Sequence, residues 1–362
     1  MDIAIIGLPQ SGKTSVFNAL TRGAAESSSA GGGSEVHIGV VKVPDPRLDV
    51  LAGMYHPRKI VPAEMKYWDI PGAASDGRGG GITGRHRNVL QAADAFLLVV
   101  RAFDHPSVPH PAGTIDPARD LAAMLDEIAF ADIEVLERSA ERLRDGFNKA
   151  KPDERPRVAR HLEAVNKVRA GLDAGIPLRR QELAESEMSF MFAYQLLTGK
   201  PVIAAFNTGE SDGDMALSDL GVAPAARAGV GEVSVSARLE SELALMPDEE
   251  AQEFRDDLGL GESALSQVIR VSYATVGLVS FLTVGEDEVR AWSVREGLPA
   301  QEAAGTIHTD FSRGFIRAEV IPYDDLARCG SMAQGRREGV LRSEGKTYPV
   351  RDGDVIHFLI NV

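Results

Sequence analysis

Gly7 and Gly12 enclose four residues and are followed at once by Lys13 and Thr14, so GLPQSGKT (7–14) has the spacing G-x-x-x-x-G-K-T. Glycines so placed allow a tight turn whose backbone N–H groups surround phosphate oxygens. The lysine then meets the outer phosphates and the threonine hydroxyl binds magnesium. Gly7, Gln10, Ser11, Gly12, Lys13, Thr14 and Ser15 are the expected phosphate cradle, with Lys13 also expected to act on the transferred phosphate. The loop alone fits kinases, transporters and switches equally.

A second element, WDIPG (68–72), closes an apolar run. Its Asp69 is suited to hold magnesium through water, and the Gly72 amide to sense a terminal phosphate. Asp-x-x-Gly is common by chance. Here, however, it follows the loop by roughly 60 residues and precedes a glycine-rich stretch, GRGGG (77–81), and that order favours a GTPase-like enzyme. The third element is FNTGE (206–210), where Asn207 and Glu210 occupy the places of the Asn and Asp in Asn-Lys-x-Asp. Glu sets its carboxylate about 1.5 Å further out than Asp would, and the missing lysine removes an aliphatic cover for the base. A guanine donor left unmatched costs about 1–3 kcal/mol, roughly one to two decades of affinity. ATP is therefore expected, with GTP as a weaker ligand. The alternative is that Asn207 and Glu210 simply form a turn. Thr208, and the backbone amides of Ser236 and Ala237 in SAR (236–238), complete the expected base site.

These residues need a scaffold. Apolar runs at Ile3 to Ile6, Ile38 to Val43, Glu64 to Ile70 and Ala95 to Val100 alternate with polar and glycine-rich connections, which predicts an α/β sheet. Residues 15–21, with Val16, Phe17 and Leu20 at helical spacing, give the order strand, loop, helix that the motif requires. Between 116 and 197 the apolar residues recur at threes and fours, broken at Lys151, Pro152 and Pro156. That pattern reads as an antiparallel helical hairpin, or as surface helices of the same domain. Strands resume at Pro201 to Phe206 and Glu232 to Ser236, and the chain becomes strand-rich after 277. The expected division is a nucleotide domain from 1–115 and 198–277, a helical insertion at 116–197 and a small mixed domain at 278–362. SSSAGGG (27–33) reads as a flexible loop.

Composition is that of a folded globular protein: 362 residues, 44% hydrophobic and 25% charged. A net charge of −14 argues against bulk attraction to nucleic acid, so any RNA contact needs a local patch. The single cysteine, Cys329, excludes an internal disulfide and a thiolate zinc cluster. The start of the chain does not resemble a signal peptide, and no apolar run reaches the roughly 18 residues of a spanning helix. A cytoplasmic monomer without membrane contact is expected.

Taken together, the motifs resemble the YchF, or Obg-like ATPase, branch of the Obg-related P-loop proteins. The resemblance is carried by GLPQSGKTSVFNALT, VPDPRLD (43–49), DIPG, VVRAFD (99–104), Asn-x-x-Glu (207–210) and SARLESEL (236–243). It continues through GLVSFLTVGEDEVRAW (277–292), AAGTIHTDFSRGFIRAEV (303–320) and GKTYPVRDGDVIHF (345–358). It implies a P-loop domain interrupted by a coiled-coil hairpin, then a TGS domain of β-grasp fold. It also implies slow Mg2+-dependent ATP hydrolysis with GTP tolerated, and association with ribosomes.

Two places depart from the family, its first and second switches. Its first switch carries a magnesium-binding threonine, but this chain has none between Thr21 and Thr83, leaving Ser34 as the candidate. The position after Gly72 where Ras-like proteins carry a water-orienting glutamine is Ala73, so turnover should be slow. A family histidine corresponds to His110, a candidate for positioning water or acting as a base, or else a solvated loop residue. Residues 278–362 hold 10 Lys and Arg against 13 Asp and Glu, net −3, so their cations face RNA only if they converge. Two readings stand: a slow ATPase switch on a ribosomal or RNA partner, and a nucleotide-binding scaffold that hydrolyses nothing. A phosphotransferase gains little, since no acceptor pocket is evident.

Overall fold

The computed structural model describes residues 1–23, 26–30, 34–70, 82, 84–209, 220–222, 228–257, 260 and 262–361. The strands are β1 (Asp2–Ile6), β2 (Glu26–Ala30), β3 (Ser34–Lys42), β4 (Lys59–Val61), β5 (Glu64–Asp69), β6 (Ala95–Ala102), β7 (Val202–Thr208), β8 (Gly231–Val235), β9 (Leu278–Val284), β10 (Glu288–Arg295), β11 (Phe315–Pro322), β12 (Arg342–Glu344) and β13 (Asp354–Ile360). The first five α-helices are α1 (Lys13–Thr21), α2 (Arg47–Tyr55), α3 (Gly84–Ala92), α4 (Pro117–Lys149) and α5 (Arg155–Asp173). Two units are formed, 1–40 with 66–271, and 41–65 with 272–362.

The first unit is built on a seven-stranded sheet in the order β2-β3-β5-β1-β6-β7-β8. β5, β1, β6, β7 and β8 run parallel, so the loops leaving their carboxyl ends converge on one edge. β6 is covered on both faces, and every residue from Ala95 to Val100 is at most 1% exposed, which explains its unbroken apolar run. Register then places function: Ile5 lies beside Asp69, Arg101 beside Asn207, and Asn207 beside Val235. The SSSA segment expected to be a loop is instead strand β2. It pairs antiparallel with β3 from Ala30 opposite Ser34 to Glu26 opposite Ile38. Backbone pairing along the sheet edge outweighs the weak strand preference of serine.

α4 begins at a well-made cap, where the Asp116 side chain accepts from Arg119 N at 3.0 Å and Pro117 occupies the first turn. Its 33 residues span about 50 Å at 1.5 Å each. The first half, with Leu121, Met124, Ile128 and Ala131, belongs to the sheet's core. Leu136 and Ala140 belong instead to a second cluster with Val165, Val168 and Leu172 of α5. The hairpin expected as a domain from 116 thus shares its root with the nucleotide unit and departs from it only near residue 132.

In the second unit the order is β12-β11-β13-β9-β10-β4. β9 and β13 are parallel neighbours, β9 and β10 form an antiparallel hairpin, and β11 pairs antiparallel with β13, which is the β-grasp arrangement. Ala300, Ala303 and Ala304 of the helix Ala300–Ile307 pack among Phe281, Phe315 and Phe358, small residues letting the helix approach the sheet. One boundary differs from expectation: residues 41–65 fold with this unit. β4 adds a parallel edge beside Glu288–Arg290, and α2 packs on β10. Arg47 donates two bonds to the Asp45 carboxylate, both at 2.8 Å, and one to Asp352 Oδ2 at 2.7 Å. Such forked pairing fixes α2 geometrically, a long-range partnership that no local pattern announces.

Candidate nucleotide site

The 7–12 loop leaves β1 at Ile6 and enters α1 at Lys13. Gly12, the cap of that helix, has φ +92°, and a Cβ there would collide with the Asn207 side-chain amide. A Cβ on Gly7 would come within 2.5 Å of the Val99 carbonyl oxygen. Both glycines are therefore required by the path of the chain. Gln10 also holds a positive φ, 63°, at a cost of about 1–2 kcal/mol that the loop as a whole carries.

Lys13 Nζ donates to the carbonyls of Gly7 and Leu8, both at 2.9 Å, so the ammonium is held within the turn. Burial pushes its pKa below the usual lysine range, and the nearby Asp69 carboxylate partly opposes the shift. Thr14 Oγ1 donates to Asp69 Oδ2 at 3.0 Å. Asp69 is 1% exposed and its Oδ1 has no hydrogen-bond partner. A buried carboxylate oxygen with spare lone pairs, beside a threonine hydroxyl, fits a hard cation such as Mg2+, which takes few protein ligands and completes its shell with phosphate and water. Ser11 Oγ in the phosphate loop, Thr208 Oγ1 at the end of β7 and Ser236 Oγ just after β8 are likewise buried and unmatched. Buried polar atoms are nearly always paired, so this concentration fits a polar ligand.

Lys13 has a lowered pKa in the folded protein, so binding an anion should raise it again and take up protons at alkaline pH. Titration of ATP at alkaline pH, below the usual lysine range, in two buffers of different ionisation enthalpy should show net proton uptake, and affinity should weaken as pH rises. No uptake would show that the ammonium does not meet the phosphates.

Asn207 is buried with both ends of its amide engaged. Nδ2 donates to Ser11 O and Oδ1 accepts from Ala237 N, each at 3.0 Å. It ties the phosphate loop to the SAR segment and so positions the site, where a direct contact to the base was expected. Glu240, three residues after Ala237, accepts from Arg255 Nη2 at 2.6 Å and Ala264 N at 3.0 Å, anchoring the short helix Ala237–Leu243. Ser15 lies exposed in the first turn of α1, next to Thr14.

Gly72 and Glu210 lie outside the described residues. Ser34 opens β3 in the outer hairpin, paired with Ala30. His110, expected to position water or act as a base or else to be solvated, has both ring nitrogens engaged. Its Nδ1 accepts from Ala112 N at 3.1 Å, which leaves the proton on Nε2, facing Asp120 Oδ2 at 2.8 Å. The side chain is 4% exposed, so both nitrogens serve the fold of the segment leading into α4. Two residues escaped notice as site elements: Arg101 and Phe103. Arg101 is buried, donates to Phe103 O at 3.1 Å and Val108 O at 2.7 Å, and lies 4.5 Å over the Phe103 ring. That ring reaches to 4.0 Å from where a Gly12 Cβ would be, giving the loop an apolar neighbour. A charged residue closing an apolar strand was the available signal.

A family profile described as a 50S ribosome-binding GTPase matches residues 2–137. The YchF GTPase carboxyl-terminal profile, described as a protein of unknown function, matches 278–361. The chain is 37% identical to the ribosome-binding ATPase YchF of Bacillus subtilis, over 99% of this chain and 98% of that one. It is 33% identical to Obg-like ATPase 1 of Oryza sativa, over 100% and 92%. The solved Schizosaccharomyces pombe YchF GTPase matches at 30% identity and TM-score 0.85, covering 99% of this chain and 97% of that chain. With the phosphate loop, Thr14–Asp69 pair and hairpin in place, this chain belongs to the YchF family of Obg-like P-loop ATPases.

Proposed function

We propose that this chain binds ATP in preference to GTP, with Mg2+, hydrolyses it slowly, and lets the nucleotide state set its affinity for ribosomes in the cytoplasm, acting as a monomer. The observation that carries the reading is the hydrogen bond from Thr14 to the buried Asp69 carboxylate, beside Lys13 at the start of α1. Thr14 and Asp69 would hold Mg2+, which supplies neutralising charge on the phosphates. Lys13 would exchange its two loop carbonyls for phosphate oxygens. The missing lysine in FNTGE and the longer Glu210 favour adenine over guanine. Ribosome association is what the relatives' names state of them, and 278–362 is taken as the TGS domain.

The test compares cosedimentation with ribosomes for the apo protein and for protein bound to a non-hydrolysable ATP analogue. Different affinities are expected, and equal ones would end the switch idea. In titrations of ATP against GTP, Asn207→Ala should weaken both nucleotides equally, because its amide holds two loops together. A selective loss of one would make Asn207 a base reader. A second reading, a scaffold without turnover, is favoured by the engaged state of both His110 nitrogens. Turnover unchanged by Lys13→Ala would decide for it. Among the described residues no helix is long and apolar enough to cross a membrane.

A further inference from the structure

The hairpin of α4 and α5 changes character along its length. Towards the sheet its cations are matched: Arg138 with Glu134 at 3.2 Å, Lys167 with Glu187 at 2.7 Å, and Arg169 with Glu137 at 3.6 Å and Asp173 at 3.8 Å. At the far end, residues 142–160 hold seven Lys or Arg against three Asp or Glu, net +4 in a chain of net −14. All seven are exposed, and none has a carboxylate within ion-pair distance among the described residues. Arg155 donates to Ala150 O and lies 5.8 Å over Phe147, and Arg160 donates to Pro156 O, which leaves both charges unneutralised.

Stability does not explain this arrangement. No buried apolar residue lies between Ala140 and Ala164, and within 142–160 the half-buried Leu143 at its inner edge is the residue that packs against the hairpin's core. Arg155 and Arg157 stand in the first turn of α5, which has no acidic residue, where the helix dipole disfavours cations. Four arginines of the second unit are paired, Arg313 with Asp310, Arg328 with Asp325 and Glu338, Arg336 with Glu319, and Arg342 with Glu344, so its cations are only partly unmatched.

We propose that the hairpin tip, residues 142–160, is a docking surface for the phosphate backbone of RNA. The inference rests on the ribosome reading and narrows it to one surface. Five of the seven cations are arginine, whose fork fits phosphate oxygens. No large exposed apolar residue falls between 141 and 163 to enter a bilayer. On an acidic protein, a reversed patch at the end of a long arm orients approach to a polyanion and keeps the rest of the surface away.

The test uses the full chain carrying Arg144→Gln, Lys151→Gln, Arg157→Gln and Arg160→Gln together. Binding is measured to purified ribosomes, to a short RNA duplex across a salt series, and to phosphatidylglycerol vesicles. Duplex affinity at low salt should fall about tenfold or more, and the slope of log affinity against log salt should flatten by about 3, from roughly 0.7–0.9 per lost phosphate contact. ATP affinity should hold, and the thermal midpoint should hold or rise. Unchanged duplex and ribosome binding would overturn the surface, as would a loss confined to vesicles. If the unaltered protein binds the duplex but no ribosome, the ribosome reading fails, while loss of duplex binding in the variant still supports the surface.

Discussion

Lys13→Ala should lower ATP turnover about 100- to 1000-fold, the loss expected when one preorganised positive group facing developing phosphate charge is removed. The fold should survive. Lys13 touches only two carbonyls of its own loop, and burial already disfavours its charged form, so deleting it removes an unfavourable term. Turnover at saturating nucleotide, read beside the thermal midpoint, separates the two effects. Activity within about threefold of the parent, at an unchanged midpoint, would show that the ammonium never meets the transferred phosphate.

Asp132→Ala should cost stability instead, about 3–5 kcal/mol, because it strands a largely covered cation and several buried donors. Asp132 is fully buried within α4. It accepts from Arg87 of α3 at 3.0 Å, from Leu197 N at 3.0 Å, and from Thr198 N and Oγ1, both at 2.7 Å. Arg87 also donates to the Ala131 carbonyl. One carboxylate therefore fastens the helix after the glycine-rich segment, the root of the hairpin, and the chain returning into β7. A chain of two units need not unfold in one step, so hydrogen exchange is the better reading. Protection should fall at 84–92, 128–136 and 197–208 while the second unit keeps its own. A penalty under about 1 kcal/mol would mean that water or another group replaces the carboxylate.

The phosphate loop was legible in the sequence because its chemistry is contiguous. Gly7, Gly12, Lys13 and Thr14 act within one turn, and covalent spacing alone brings them together. The central strands and the hairpin were legible for a similar reason, since burial on two faces or on one helical stripe leaves a local period. Asp69 was found because its motif closes a strand whose register against β1 carries it to Thr14.

Other features had no local trace. Asn207 lies 196 residues from Ser11, and which way its amide turns depends on β7 lying beside β8, which carries Ala237 to it. His110 read as a water-positioning base or a solvated loop residue, and only the fold brings Ala112 and Asp120 to its two nitrogens. Residues 41–65 carry no mark of the unit they join, because a three-residue strand pairs with whichever edge is offered, here β10. The sequence by itself determined that a triphosphate is held and by which turn. Tertiary structure decided which polar groups remain free to act, because a side chain's hydrogen bonds depend on what the fold brings beside it.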